Sequence, residues 1–339
     1  RLVRSSATDA AGGDTQSAVR AALSGECVAI LLRHSSEVLG LRFSPDGAFL
    51  ASSARDGQVI IWEMAFSDAG RVQIPKALHV FRCAHGAAEC LAWSPDSQSL
   101  LTCGSESRVI EQWNIPSGEC WHEFHHPADG VTSVQWLPSG RQFLSGAADK
   151  SLLLWNVADG SIAYQWGGRR VLDMAMHPDG KRAFVLISGV EIRVYDLESK
   201  ADELFFRAEE LVSCISLAPS GKFLLVNLIR DEKIVCLEVD TGLIVATYSG
   251  LVEQRYVLRP CFGGHGDELA YSHGRFAIDA KVYVWHRESS GGLALALTGH
   301  SSAINTVESH PGRPDVLASA SDDETIRLWA VKGMEQRAP

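Results

Sequence analysis

Three residues near the start of the chain, His34, Ser52 and Asp56, are of the types that hydrolases use for nucleophilic catalysis. A serine hydroxyl, an imidazole base and an orienting carboxylate can attack a carbonyl carbon when they are aligned. The same types recur near the C-terminus as His300, Ser319 and Asp323. An enzyme rarely needs its active site more than once, so the recurrence favours a structural role, and we expect no catalytic residues.

Two other segments have residue types suited to a metal ion or a phosphate group. His122, His125 and His126 lie close together in sequence, but no carboxylate or thiol set completes a metal site at the usual spacing. The stretch 262–267 is rich in glycine, yet it lacks the lysine and the helix of a phosphate-binding loop. We therefore expect neither a metal ion nor a cofactor.

The elements that must position these residues repeat along the chain. An aspartate precedes a tryptophan by six positions in four pairs: Asp56 and Trp62, Asp149 and Trp155, Asp279 and Trp285, and Asp323 and Trp329. Strand-closing positions recur at spacings of 51, 42, 40, 42, 48 and 44 residues: Trp62, Trp113, Trp155, Tyr195, Leu237, Trp285 and Trp329. A period of about 40 residues indicates a repeat protein, here with seven units.

Each unit contains short apolar runs separated by turns that contain Pro, Asp and Gly. In the first unit the run 38–43 is followed by the turn 44–47 and then by the run 49–52. Such patterns predict antiparallel strands. We expect one closed all-β domain over residues 27–330, preceded by a linker from a longer chain (1–26) and followed by a tail (331–339).

The last unit has no room for a fourth strand of its own. Only ten residues follow Trp329, and none of them forms a strand-like run. Proteins avoid leaving a sheet edge unpaired. The apolar run 27–32 has the character of an outer strand, so we expect it to pair with the last unit and close the ring.

Composition narrows the function classes. The chain has 31 Lys and Arg against 41 Asp and Glu, a net charge of −10, and 46% hydrophobic residues. These values fit a globular protein and exclude a basic nucleic-acid binder. The longest apolar run, 27–32, is too short to cross a membrane. Eight cysteines without a Cys-x-x-Cys pair suggest thiols in a reducing compartment, and we expect the protein in the cytoplasm and also in the nucleus.

The residues that open the units allow a family comparison. His34, His85, His126 and the pair Gly299-His300 each precede a closing tryptophan by 28 or 29 residues. This pattern resembles the WD-repeat β-propellers, which implies an all-β, seven-bladed propeller closed by an N-terminal strand. In such repeats a histidine, a serine or threonine, the turn aspartate and the tryptophan form a buried hydrogen-bonded tetrad. The implied tetrads are His34, Ser52, Asp56 and Trp62, and His300, Ser319, Asp323 and Trp329.

Loops at the two faces of a propeller normally carry its binding residues. Five arginines lie in or beside the loops that contain the histidines and turn aspartates: Arg55, Arg169, Arg170, Arg230 and Arg255. They predict a basic rim that would steer acidic segments of other proteins to this face. The alternative is a set of scattered, solvated charges.

Segments between the repeated positions narrow the resemblance further. The stretches 41–52, 223–228, 255–264 and 281–287 are similar to successive blades of the WD-repeat protein twenty-six group, which includes the seventh subunit of the yeast glucose-induced-degradation ubiquitin ligase. The resemblance implies a non-catalytic subunit of a C-terminal-to-LisH (CTLH) type ubiquitin ligase, whose partners are ligase subunits, substrates and regulators. The alternative is a WD-repeat scaffold of another pathway, such as G-protein-β-like signalling.

The same resemblance bears on self-association. Members of the group carry LisH and CTLH helices ahead of the propeller, and residues 1–26 are too short for them. Oligomerisation is therefore expected to depend on such an N-terminal region. We expect no nucleic-acid partner and no membrane partner.

Overall fold

A computed structural model describes residues 23–127, 130–249, 259–264, 267, 269–273, 280–287 and 292–333. Within these residues the strands form seven antiparallel sheets of four strands each, which are the blades of a propeller. The all-β, seven-bladed fold predicted from the sequence is thus confirmed. The described part of the chain contains no helix long and apolar enough to cross a lipid bilayer.

The first four blades follow one another in chain order. Blade 1 contains β2 (Val38–Phe43), β3 (Phe49–Ala54), β4 (Gln58–Glu63) and β5 (Lys76–Arg82). Blade 2 contains β6 (Cys90–Trp93), β7 (Ser99–Cys103), β8 (Val109–Asn114) and β9 (Cys120–His125). Blade 3 contains β10 (Val131–Trp136), β11 (Gln142–Ala147), β12 (Ser151–Asn156) and β13 (Ile162–Gly167). Blade 4 contains β14 (Val171–Met176), β15 (Arg182–Ile187), β16 (Glu191–Asp196) and β17 (Asp202–Arg207).

The last three blades complete the ring. Blade 5 contains β18 (Val212–Leu217), β19 (Phe223–Leu228), β20 (Lys233–Glu238) and β21 (Ile244–Tyr248). Blade 6 contains β22 (Cys261–Gly263), β23 (Leu269–His273), β24 (Lys281–His286) and β25 (Leu293–Thr298). Blade 7 contains β26 (Ile304–Ser309), β27 (Val316–Ser321), β28 (Thr325–Lys332) and, as its outer strand, β1 (Ser24–Leu32).

The outer strand of blade 7 comes from the opposite end of the chain. β1 runs antiparallel to β28, with Cys27 opposite Trp329 and Leu31 opposite Ile326. This pairing confirms the predicted closure by an N-terminal strand. Ser24 is paired with Lys332, so the sheet extends beyond the predicted limits of 27–330 at both ends. Residues 1–22 and 334–339, which include most of the predicted linker and tail, lie outside the described residues.

The first strands of neighbouring blades contact one another and surround the axis of the ring. Trp93 and Trp136, which end two of these strands, are buried between blades together with Phe43. The Trp93 indole N–H donates to the Arg42 carbonyl of blade 1 at 2.9 Å, and Trp136 donates to the Ala92 carbonyl of blade 2 at 3.1 Å. A large apolar ring with one polar atom thus packs between blades while its N–H is satisfied.

Apolar clusters fill the spaces between neighbouring blades. One cluster joins Leu41 and Trp62 of blade 1 to Ile326 and Leu328 of blade 7, and similar clusters lie at the other blade boundaries. Each sheet is therefore covered on both faces by its neighbours. This explains why side chains on both faces of its inner strands are apolar.

The turn between the first two strands of blade 4 is fixed by Asp179. Its Oδ1 accepts from the Lys181 N–H at 2.8 Å, and its Oδ2 accepts from the Arg182 Nε at 2.8 Å. Burial alone would raise the pKa of this carboxyl, but the hydrogen bonds from Lys181 and Arg182 outweigh burial and lower the pKa to about 2. The ionised form is therefore the one that the folded turn prefers.

We expect Asp179→Asn to lower the free energy of unfolding at pH 7 by roughly 1 kcal/mol, a value reduced because the carboxylate is partly exposed to solvent. A pKa lowered by folding contributes stability above the unfolded pKa, and this contribution disappears as the pH falls through the folded pKa. The difference between the two proteins should therefore shrink between pH about 4 and pH about 2. Urea denaturation across this range measures it, and a difference independent of pH would contradict the assignment.

Candidate functional site

The first tetrad is assembled from four consecutive elements of blade 1. His34 lies in the loop before β2, Ser52 in β3, Asp56 in the following turn and Trp62 in β4. The His34 Nδ1 is 3.2 Å from Asp56 Oδ2, and its Nε2 is 2.8 Å from Ser52 Oγ. The Trp62 indole N–H donates to the same Ser52 oxygen at 2.9 Å. All four predicted residues are thus brought into one hydrogen-bonded set.

The protonation state of His34 follows from its surroundings. Burial lowers the pKa of this imidazole, and the nearby Asp56 carboxylate only partly offsets the effect. A neutral imidazole can donate from Nδ1 to Asp56 and accept the Ser52 hydroxyl proton at Nε2. Trp62 then donates to the free lone pair of Ser52, so every buried polar atom in the set has a partner.

Blade 7 repeats the arrangement with shorter distances. The His300 Nδ1 lies 2.9 Å from Asp323 Oδ2, and its Nε2 lies 2.7 Å from Ser319 Oγ. Trp329 donates to Ser319 Oγ at 2.8 Å. Burial would raise the pKa of Asp323, but hydrogen bonds from His300, Thr325 and the backbone lower it below its ordinary value.

Neither set is open to a substrate. Ser52 and Ser319 have no exposed surface, and His34 and His300 are each 7% exposed. Each serine oxygen already receives an indole N–H. The geometry therefore fixes the blades, and a carbonyl carbon could not approach either hydroxyl.

Blade 3 keeps only part of the pattern. Trp155 donates to Ser145 Oγ at 2.8 Å, and the buried His126 ring lies 6.3 Å from the Trp155 ring. Asp149 accepts instead from the backbone N–H and the hydroxyl of Ser151, at 3.1 and 2.6 Å. The turn aspartate here stabilises its own turn. The other predicted turn aspartate, Asp279, lies outside the described residues.

Blade 2 replaces the histidine of the tetrad by a cysteine. His85, which the sequence spacing matched to His34, is exposed. The Cys83 Sγ lies 3.9 Å from Thr102 Oγ1, and the Trp113 indole N–H donates to that hydroxyl at 3.1 Å. Cys83 is thus the residue that occupies the histidine position, and the match of His85 was wrong.

The carboxylate of blade 2 also comes from a different place. Glu111, in β8, accepts from the Ala84 N–H at 3.0 Å and from the Thr102 hydroxyl at 3.2 Å. In blade 1 the turn Asp56 accepts from the N–H of Ser35 in the same way. Burial first, and then the Glu111 charge, raises the pKa of the Cys83 thiol to about 12, so this thiol stays protonated near neutral pH.

Arg169 is paired with a carboxylate of blade 4. Its guanidinium lies 2.6 Å from Asp202 Oδ2. A hydrogen bond with Tyr195, which replaces the closing tryptophan, raises the pKa of Arg169, and Asp202 adds to the effect. Arg193 donates to the same Asp202 carboxylate. Arg169 is thus paired, while its side chain stays 41% exposed, and its role in partner binding stays a prediction.

Two of the other rim residues have a carboxylate beside them in space or in sequence. Arg55 is exposed and lies 3.9 Å from Glu37, whereas Arg230 is exposed beside Asp231. Arg170 is exposed in the loop between β13 and β14. Arg255 lies outside the described residues. The role of these arginines in partner binding stays a prediction.

Two ion pairs join different blades beside the central channel. Arg42 of blade 1 lies 2.7 Å from Glu308 of blade 7, and Arg259, just before blade 6, lies 3.4 Å from Asp173 of blade 4. Glu308 raises the pKa of Arg42, and Asp173 raises that of Arg259. Sequence reasoning missed these pairs because their members lie far apart along the chain. A charged residue inside an otherwise apolar first strand was the sequence feature that could have indicated these ion pairs.

A cavity of about 640 Å³ opens beside these pairs, at the mouth of the channel formed by the turns between first and second strands. Its lining combines charged, aromatic and thioether side chains: Arg42, Phe43, Met174, Met176, Arg259 and Glu308. A cavity with such a lining can accept a side chain or a short chain segment of a partner.

Comparison with known proteins agrees with this architecture. Residues 25–63, 75–114, 118–156 and 291–330 match the family model "WD domain, G-beta repeat". A protein of Arabidopsis thaliana named WD repeat-containing protein 26 homolog is 36% identical over 312 residues, which cover 91% of this chain and 51% of that relative. The Drosophila melanogaster protein of the same name is 28% identical, covering 87% of this chain and 46% of the relative.

A third relative carries a more specific name. GID complex subunit 7 of Schizosaccharomyces pombe is 31% identical over 312 residues, which cover 90% of this chain and 58% of the relative. The chain thus spans about half the length of the curated relatives it matches. The resemblance read from the sequence is confirmed: the chain is a seven-bladed β-propeller built from WD repeats, similar over most of its length to WD repeat-containing protein 26 homologs and to GID complex subunit 7.

Proposed function

We propose that this chain is a non-catalytic interaction subunit of a GID or CTLH type ubiquitin ligase, in which it assembles the complex and presents substrates or regulators. The observation that carries the proposal is the extent of the similarity to GID complex subunit 7. It covers 90% of the chain, whereas the WD-repeat family model leaves residues 157–290 unmatched. The similarity therefore includes the divergent blades 4 to 6, which general WD repeats resemble least.

A purely binding role also agrees with the chemistry of the chain. The two Ser-His-Asp sets are buried and fully hydrogen-bonded, so they support structure and offer no exposed nucleophile. Ubiquitin transfer would then take place on RING-type subunits elsewhere in the complex. The exposed loops and the channel cavity remain as surfaces on which other proteins can dock.

Affinity purification of the tagged protein from its native cells tests the proposal. We expect RING-type ligase subunits among the stable partners. Their absence, with the components of another signalling pathway in their place, would contradict the ligase assignment and favour a WD-repeat scaffold of that pathway.

The exposed rim arginines give a mutational form of the test. Charge reversal at Arg170 and Arg230 should weaken capture of the partners several-fold, because both side chains are exposed on the face that carries the tetrad loops. Lys222→Glu is the matched control, since it reverses an exposed charge in a turn on the opposite face. Equal capture by the double variant and the wild type would remove these arginines from the binding surface. Arg169 is left unchanged because its guanidinium is already paired with the Asp202 carboxylate.

A further inference from the structure

We propose that blade 2 carries a binding site for a first-row divalent transition metal ion, with His85, Glu111 and Glu123 as its protein ligands. The three side chains come from three elements: the loop between β5 and β6, the strand β8 and the strand β9. One possible ligand atom from each lies within 4.8 Å of the other two. Three donors at such distances can converge on one ion with little rearrangement.

Strand pairing brings the two carboxylates together. Glu111 and Glu123 are directly opposite each other in the β8–β9 ladder, so their side chains project from the same face of the sheet. Like charges in this position repel one another. A divalent cation between the two would replace the repulsion by attraction to both.

Glu111 is the unusual member of the group because it is buried. It is 4% exposed, and among the residues that the structure describes no lysine or arginine nitrogen lies within ion-pair distance of it. The residue two positions before the closing residue is apolar, aromatic or basic in the other blades: Ile60, Leu153, Arg193, Val235, Tyr283 and Arg327. A buried carboxylate needs a compensating charge, and a bound cation supplies one.

The surroundings of Glu111 hold its carboxylate in place. The Ala84 N–H donates to Oε1 at 3.0 Å, and the Thr102 hydroxyl donates to Oε2 at 3.2 Å. Partners of this kind orient metal-ligating carboxylates in known metal sites. Ala84 also directly precedes His85, so the same contact positions the loop that carries the imidazole.

The donor set indicates the class of ion. One imidazole nitrogen and two carboxylate oxygens suit zinc and its first-row neighbours, whereas magnesium and calcium prefer oxygen ligands alone. The nearby Cys83 thiol does not belong to the group of donor atoms that lie within 4.8 Å of one another, and it is not counted as a ligand. Three protein ligands would leave one coordination position of a tetrahedral ion for water or for a partner group.

This site differs from the histidine motif of the sequence. His122 is opposite Gln112 in the ladder, one position out of step with the Glu111–Glu123 pair, and so projects from the other face of the sheet. His126 is buried beside Trp155 of blade 3. His125 shares the face of Glu123, with its Nε2 3.9 Å from a Glu123 carboxylate oxygen. The proposed ligands converge only through the fold, which explains why spacing along the chain does not reveal them.

Calorimetric titration of the whole protein with zinc chloride tests the site, with magnesium chloride as the comparison ion. We expect the wild type to bind zinc and the double variant His85→Ala, Glu123→Gln to bind it at least about tenfold more weakly or not at all. Removal of a residue that only supports a metal ligand already weakens metal binding by about tenfold or more. Both side chains are exposed, so the double variant should keep the fold and melting temperature of the metal-free protein.

His122→Ala is the matched control, because it removes an exposed imidazole from the same strand but from the other face. It should bind zinc like the wild type. Cobalt substitution adds a second readout, since visible absorption bands of a nitrogen- and oxygen-ligated ion should form in the wild type and be lost in the double variant. The proposal is overturned if the wild type binds no zinc, or if the double variant binds it as tightly as the wild type.

Discussion

Deletion of residues 24–32 should abolish cooperative unfolding of the ring, so that the truncated chain shows no thermal transition near that of the wild type. These residues form β1, which covers β28 along its whole length and supplies Ala29 and Leu31 to the cluster between blades 7 and 1. Without β1 the backbone of β28 is left as an open edge, and the ring loses its closing contact. Circular dichroism melting and size-exclusion chromatography measure the effect.

Two point variants distinguish a specific role of β1 in closing the ring from a general loss of stability on any change in this strand. Leu31 is 3% exposed and Ile30 is 43% exposed, although they are neighbours on β1. We expect Leu31→Ser to lower the free energy of unfolding by about 2–5 kcal/mol and Ile30→Ser to change it much less. A soluble deletion protein that melts like the wild type would contradict closure by β1.

Replacement of Asp323 by alanine should lower the free energy of unfolding by about 3 kcal/mol, the upper end of the usual cost of leaving buried hydrogen-bond donors without an acceptor. The carboxylate accepts from His300, from the Ser301 N–H and from Thr325, and all of these donors would lose their partner. Asp149→Ala is the matched control in blade 3, where, among the residues that the structure describes, the turn carboxylate accepts from Ser151 of its own turn alone. We expect it to cost about 1 kcal/mol.

The pH dependence gives an independent check on the same residue. The folded protein lowers the pKa of Asp323, so its contribution to stability is complete above the ordinary aspartate pKa of about 4 and is lost as the pH falls further. The stability difference between the wild type and Asp323→Ala should therefore decrease below pH about 4. Denaturation at a series of pH values measures it. A cost for Asp323→Ala no larger than that for Asp149→Ala would contradict a tetrad role.

The parts of the fold that sequence could predict are those that repeat. The regular spacing of the seven strand-closing positions fixes the number of blades, and the four pairs of turn aspartate and closing tryptophan mark the same turn and the same strand end in their blades. The tetrads of blades 1 and 7 follow from it, since His34 and His300 keep the same distance from Trp62 and Trp329 within one residue. Closure by residues 27–32 was predictable for a different reason: the last unit lacked a strand.

Sequence did not predict the side-chain partners in blades that depart from the repeat. In blade 2 the residue at the histidine position, Cys83, precedes Trp113 by 30 residues, and spacing alone therefore selected His85. In blade 4 the closing residue is Tyr195, whose hydroxyl can accept from the Arg169 guanidinium, as an indole N–H could not. The spacing of residues along the chain does not show that one hydrogen-bonding group has replaced another, because the replacement depends on which side chains the fold brings together.

Interaction with other proteins is the central functional claim, and amide hydrogen exchange of the full protein measures it directly. Exchange should be compared in the free protein and after addition of the RING-type subunits of the proposed ligase. We expect slower exchange in the loops 168–170 and 229–232, which carry Arg170 and Arg230, with little change in the turn 219–222 on the opposite face. A complex that forms without protection of any segment of the propeller would contradict the claim that this domain is an interaction platform of the ligase.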